Sequence, residues 1–251
     1  MGTPVTSLSA TGLAEIDIAI LAGGLGTRIR GVLGDTPKVL APITIGGWTR
    51  PFLDILLDWL ARQGARRIVL CLGHLADRVE RHLAQAPRRD LSIAQIVEPG
   101  PLGTAGALRF AGSRLASDPV MVINGDTFVD ADLGAMLTHH CTTEANVTML
   151  CARVTDAGRY GRVDIGADSM VRRFVEKDPK AGTGTINAGI YLLGRGVIDG
   201  IMGGTAASIE RDVLERMPAG AIHAVITDGR FIDIGTPESL EAAPTVLAGQ
   251  P

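Results

Sequence analysis

A doubly wound α/β domain, built on a mostly parallel mixed sheet, is the fold this sequence predicts. Three observations point to it. Short apolar runs at 16–21, 68–72, 91–97 and 119–123 alternate with segments of helical period, the β-α-β-α-β rhythm of a parallel sheet. The first run has no polar residue after Asp17 and reads as a strand covered on both faces. The 251 residues suffice for one such domain with an ample core.

Each element has its own signal. Residues 1–15 are rich in Ser, Thr, Gly and Ala and lack the basic and apolar blocks of a signal peptide. They read as a flexible extension ahead of a single domain, 16–251. Pro51 stands where a helix should begin, and Leu53, Leu56, Leu57 and Leu60 recur at helical spacing until Gly64 ends it. Leu75, Val79 and Leu83 stripe the next helix, and the loop 98–106 opens another that runs to about Leu115. From 145 the rhythm changes, with strands at 145–154, 160–165, 171–176 and 186–193. Residues 155–195 are therefore predicted to form a small antiparallel β annex beside the main sheet. Ser208 to Met217 reads as helical, 221–227 and 231–234 as strands, and Thr236-Pro237 as the cap and first turn of a final helix.

Composition narrows the function. With 24 basic and 27 acidic residues the net charge is −3, so neither nucleic acid nor an anionic membrane is an expected partner. No apolar run approaches the roughly 18 residues of a membrane span. Cys71, Cys141 and Cys151 lie in apolar segments and suggest buried thiols of a cytoplasmic protein. The histidines show no metal-ligand spacing.

The chemistry gathers at the ends of the strands. The first strand leads into Ala22-Gly23-Gly24-Leu25-Gly26-Thr27-Arg28, and Lys38 follows on a Pro-stiffened segment. Backbone N–H groups beside fixed cations are a means of holding a polyphosphate, although a glycine turn can also be a plain connection. Two familiar phosphate loops are excluded. The chain has no Gly-Lys pair for a Walker A loop, and Ile29 stands where the dinucleotide fingerprint needs glycine. Gly103, Thr104 and Ala105, in a Pro/Gly loop, offer backbone close to a planar base, or else Thr104 simply caps a helix. Asn124-Gly125-Asp126 arrives at a strand's carboxyl end, where open α/β sheets bind ligands; Asp126 is a candidate metal ligand or a helix N-cap.

These motifs, with Pro101–Ala105, Tyr160-Gly161, Glu176-Lys177, the stretch from Ile186 to Tyr191 and Asp233–Pro237, occur in an order that resembles the sugar-1-phosphate nucleotidyltransferases over roughly 16–245. Within them, Arg159-Tyr160-Gly161, Ile186-Asn187, Ser208-Ile-Glu-Arg-Asp212 and Phe231-Ile-Asp-Ile-Gly235 are most similar to the D-glycero-α-D-manno-heptose 1-phosphate guanylyltransferases. The resemblance implies a Rossmann-like, GT-A-like fold and transfer of a nucleotidyl group from a nucleoside triphosphate, GTP in that subgroup, to a sugar 1-phosphate. It implies Arg28, Lys38 and Lys177 as catalytic residues and Ala22, Gly23, Gly24, Gly26, Thr27, Gly103, Thr104, Ala105, Asn124 and Gly125 around the nucleotide. Tyr160, Gly161, Glu176 and Asn187 would line the sugar, with Mg²⁺ on Asp126 and Asp233. Each sugar-side residue also has a structural reading: loop ends for Glu176 and Lys177, a strand end for Asn187, packing for Tyr160. A homo-oligomer is a further expectation. Base and sugar are not fixed by the motifs, so mannose 1-phosphate guanylyl and glucose 1-phosphate thymidylyl or uridylyl transfer stay open. A glycosyltransferase is disfavoured because Asp126-Thr-Phe128 is no Asp-x-Asp pair, and a non-catalytic sensor because Arg28, Lys38 and both aspartates are present.

Overall fold

A computed structural model of the protein describes residues 12–175, 178 and 182–248. In chain order, the first half comprises β1 (Asp17–Ala22), α1 (Arg30–Leu33), β2 (Pro42–Ile45), β3 (Trp48–Pro51), α2 (Phe52–Arg62), β4 (Arg67–Leu72), α3 (Ala76–Gln85), β5 (Ser92–Val97) and α4 (Gly103–Phe110). The second comprises β6 (Val120–Asn124), β7 (Thr127–Val129), α5 (Leu133–Thr142), β8 (Val147–Val154), β9 (Arg162–Ile165), β10 (Val171–Val175), β11 (Gly184–Leu193), α6 (Arg195–Gly203), β12 (His223–Thr227), β13 (Phe231–Asp233) and α7 (Pro237–Leu247).

The sheet is mixed. Strands β5, β4, β1 and β6 lie side by side and parallel; β11 continues them antiparallel to β6, and β8 and β12 follow on its far side. Along β11, Ile190 pairs with Ile123 of β6 whereas Ile186 pairs with Arg162 of β9, and both also pair with β8. Strand β9 therefore takes over the edge of β11 that β6 leaves. Of the annex predicted over 155–195, β9 and β10 form the antiparallel pair, whereas β11 is a strand of the main sheet itself, because its second half pairs with β6 and β8.

Both faces are covered, as a doubly wound sheet requires. Ile18 and Ile20 of β1 face a core with Phe52, Leu56, Leu60 and Phe128, while Ala19 between them faces one with Leu108, Ile198, Ile201 and Leu214. That alternation is the period of two expected of a strand. Helix α2 forms because its leucines share one face, and Trp59 meets the ring of Phe128 edge-on at 5.3 Å.

Several expectations are corrected. Residues 12–15 belong to the domain: the Leu13–Glu15 turn buries Leu13, because an apolar side chain is available there to close the end of the core. Residues 1–11 of the predicted extension lie outside the described residues. Cys71 and Cys151 are buried but Cys141 is exposed, since it sits on the outward face of α5 beside Thr138 and Thr142. The expected helix from Ser208 is a π-helical turn, Ile209–Val213, followed by a 3₁₀ turn, Leu214–Arg216. Among the described residues no helix is long and apolar enough to cross a membrane.

Candidate active site

The carboxyl ends of β1 and β6 and the beginning of β11 meet at one edge of the sheet. Because β11 runs antiparallel, it is its start that reaches this edge, so Gly189 and Asn187 lie beyond Asn124. Gly189 has φ +70°, and a Cβ there would lie 2.6 Å from Nδ2 of Asn124. Only glycine lets the two strands approach this closely.

A cleft of about 300 Å³ opens at this edge, lined by Gly23, Gly24, Glu98, Gly103, Thr104, Asn124 and Asp126 among others. The predicted base-side loop and glycine loop thus face each other. Gly125 is tucked against the carbonyl of Leu21, to which it donates at 2.9 Å, which holds β6 and the loop together. Ala105 is buried and its N–H is spent on the carbonyl of Ala207, 2.9 Å away, so that amide is not free for a base. Gly26 and Lys38 border a second, much smaller hollow of about 20 Å³, while Thr27 and Arg28 are exposed.

Asp126 does not cap a helix. It leads into β7, and the cap of the next helix is Asp132, whose Oδ1 accepts from Ala135 N at 2.8 Å. Strands β7 and β13 pair antiparallel with Thr127 opposite Asp233, and Ile234 N donates to the carbonyl of Asp126 at 3.0 Å. This pairing joins two aspartates that lie far apart in sequence. Lys38 Nζ forms an ion pair with Asp126. The carboxyl of Asp233 is pushed above the usual carboxylate range, first by burial and then by the charge of Asp126; Lys38, the Gly235 amide and Arg28 partly offset this. Two hard carboxylates forced together, with a lysine drawn to them, are a donor set that suits Mg²⁺ completed by phosphates and water. Among the described residues no cluster of three or more His, Cys, Asp or Glu side chains competes for that role.

On the other side, Tyr160 packs edge-to-face on Phe231 at 5.2 Å, and Arg159 donates to Oγ1 of Thr236 at 2.7 Å. The Tyr160 phenol is raised by burial, with Asp233 and Asp156 adding to it against Arg159. The carbonyl of Gly161 accepts from Asn187 N at 3.1 Å, so Tyr160-Gly161 and Asn187 are neighbours. The Asn187 amide accepts from Gly189 N at 2.9 Å and donates to the Tyr191 hydroxyl at 2.7 Å. Glu176 and Lys177 lie outside the described residues.

Sequence reading missed Glu98. It follows β5, where its Oε2 accepts from the Leu102 amide at 3.4 Å. A Cβ on either Gly23 or Gly73 would lie 2.7 Å from its Oε1, so both strands give way to it. Burial raises its carboxyl, opposed by the Leu102 amide. The available signal was a lone acid between β5 and the Pro/Gly loop.

A family model described as nucleotidyl transferase matches residues 18–248. The chain is 33% identical over 229 residues to the D-glycero-alpha-D-manno-heptose 1-phosphate guanylyltransferase of Aneurinibacillus thermoaerophilus, covering 91% of this chain and 96% of that protein. It is 34% identical over 227 residues to the mannose-1-phosphate guanylyltransferase of Mycobacterium tuberculosis, covering 89% of this chain but only 62% of that relative's length. Among solved structures, HddC from Yersinia pseudotuberculosis complexed with GMP-PN superposes with a TM-score of 0.81 at 35% identity, over 92% of this chain and 98% of that one.

Proposed function

The chain belongs to the nucleotidyl transferase family, and from that premise we propose that it joins GTP to a manno-configured heptose 1-phosphate, giving the GDP-sugar and pyrophosphate. The observation that carries the choice of base is Glu98. A carboxylate only accepts hydrogen bonds, and the pairing edge of guanine carries two adjacent donors, N1–H and the 2-amino group. Uracil and thymine offer one donor between two acceptors, and adenine offers an acceptor at N1. An acceptor pair lining the cleft therefore favours guanine and leaves other bases with unpaired groups. For the sugar, the heptose relatives match over nearly their whole length, 96% and 94%, against 62% for the mannose relative, which supports the heptose reading over the mannose one.

In this reaction an oxygen of the sugar phosphate attacks the α-phosphorus of GTP, and the bond to the β-phosphate oxygen breaks as pyrophosphate leaves. The nucleophile is already ionised at neutral pH, so no general base or covalent enzyme intermediate is required. The chain's work is alignment and charge neutralisation. The Gly23–Gly26 backbone admits the triphosphate, with Arg28 and Lys38 against its charge, and Tyr160, Gly161 and Asn187 face the sugar. Glu176 and Lys177 would complete that side. Asp126 and Asp233 would hold Mg²⁺, which supplies charge neutralisation on the phosphates.

The test is a pyrophosphate-release screen of GTP, UTP, dTTP, CTP and ATP against a panel of sugar 1-phosphates, repeated with Glu98→Gln. GTP with the heptose 1-phosphate should lead. The variant, which turns one acceptor into a donor, should lose at least about tenfold in kcat/KM for GTP while melting close to wild type. A preference for dTTP or UTP with glucose 1-phosphate would overturn the guanylyl assignment.

A further inference from the structure

The stretch from Ser208 to Asp212 has no part in the reaction above, yet it is tied firmly to both sides of the cleft. It forms the π-helical turn, a local widening that is often retained for a purpose. Oδ2 of Asp212 accepts from the amides of Ala207 and Ser208 at 2.9 and 2.8 Å, and the Ser208 hydroxyl accepts from Arg211 N at 3.2 Å. These bonds fix the turn so that the Glu210 carboxylate meets three hydroxyl donors. Thr104 and Ser208 donate to its Oε2 at 3.3 and 3.1 Å, and Tyr191 donates to its Oε1 at 3.3 Å.

Thr104 lines the nucleotide cleft, while Tyr191 is fully buried on β11, four residues after Asn187. The Tyr191 hydroxyl accepts from the Asn187 amide, and the Thr104 hydroxyl accepts from Ile209 N at 2.8 Å. Each hydroxyl thus has a fixed direction, set by the acceptor-only carboxylate at the junction. The backbone doubles the link on the base side. Ala105 N donates to the Ala207 carbonyl, Arg109 donates to that of Ala206 at 3.0 Å, and Gly103, at φ +77°, lies so close to Ala207 that a Cβ would collide with its carbonyl. The base-side loop is thus held to the turn by several hydrogen bonds, and the turn to Tyr191 by the one through Glu210. On the sugar side, Asn187 keeps one N–H and one lone pair unused by these bonds, enough to meet a hydroxyl.

We infer that Glu210 is a positioning residue coupling the two pockets, so that a base seated against Thr104 orients Asn187 for the sugar through Glu210 and Tyr191. The inference rests on the proposed reading of one side as nucleotide and the other as sugar. Its consequence is thermodynamic: nucleotide and sugar 1-phosphate each tighten the other's binding by the same factor.

The test is calorimetric titration of the heptose 1-phosphate into the full protein, with and without a non-hydrolysable GTP analogue. In wild type the analogue should tighten sugar phosphate binding at least about fivefold. Glu210→Gln and Tyr191→Phe should reduce that factor below about twofold while keeping affinity for the analogue alone, a pattern that general loosening would not give. Variants that keep the wild-type factor, or lose both affinities alike, overturn the inference. Hydrogen exchange on the ligand-free proteins separates this from the substrate assignment. Tyr191→Phe should speed exchange at the Ala105 and Ile209 amides while α2 stays protected, and unchanged exchange at both overturns the coupling whatever the substrates are. Absence of turnover with every GTP and sugar 1-phosphate pair would instead overturn the function proposed above.

Discussion

At Asp126 and Asp233, charge is held where folding alone would not put it. Burial and the neighbouring Asp126 raise the Asp233 carboxyl above its unfolded value, so its ionised form costs stability in the native state at neutral pH. That cost is relieved as pH falls through the folded value. Asp233→Asn should therefore melt at or above the wild-type temperature at pH 7 without metal, and lose that advantage on acidification. Its kcat at saturating Mg²⁺ should fall by about 10²–10³, and so should that of Asp126→Asn, as for other lost electrostatic stabilisers. If the pair is one site, the double variant should be little worse than either single. Single variants keeping more than about a tenth of the rate would place the metal elsewhere. These two aspartates were legible in the sequence because each ends or follows a strand. Glu98 was not, because its meaning comes from Gly23 and Gly73 closing on it from other strands.

Individual elements show which signals the chain states openly. Helix α2 and the Thr236-Pro237 start of α7, with its reciprocal Thr236–Ser239 capping bonds, follow from stripe and cap. The β2–β3 hairpin was missed although Gly46-Gly47 between two short runs is a turn signal. Helix α6 was hidden by Gly196, Gly200 and Gly203, poor helix formers outweighed by burial of Ile198 and Ile201. In β11 the register shifts between Asn187 and Ile190, an irregularity no periodicity reveals. Gly189→Ala tests it. A left-handed alanine costs about 1–2 kcal/mol, and its Cβ would press on Asn124, two residues before Asp126. Melting should drop by several degrees, and kcat should fall further than this stability loss explains.

Over the whole molecule, stability and chemistry depend on different parts of the sheet. Away from the cleft, buried His140 on α5 bonds through Nδ1 to Thr148 Oγ1 on β8 at 2.8 Å, with Asp118, His139 and His223 also facing it. Burial lowers its pKa to about 4, with His223 and His139 adding to this against Asp118. The unfolded chain binds a proton there near pH 6.5 and the native state does not, so this stability is full above about pH 6.5 and lost as pH falls toward 4. Denaturant titrations at pH 7 and 4.5 should show a loss of up to about 3 kcal/mol that His140→Gln largely removes. The sheet's class was legible from alternation alone. The place of β11 was not, since a strand flanked by β6, β8 and β9 reads locally like any other apolar run. Yet that strand has a consequence for turnover. It hydrogen-bonds the sugar side to β6, the strand that brings Asn124 and Asp126 to the cleft, so the spacing of the two pockets is set at folding. A GDP-sugar carries both groups at that spacing and occupies both pockets at once, each handle raising the local concentration of the other. We expect the finished molecule to be the tightest small ligand of the cleft and its escape to set the cycle, which a burst of product ahead of the steady rate on rapid mixing would show.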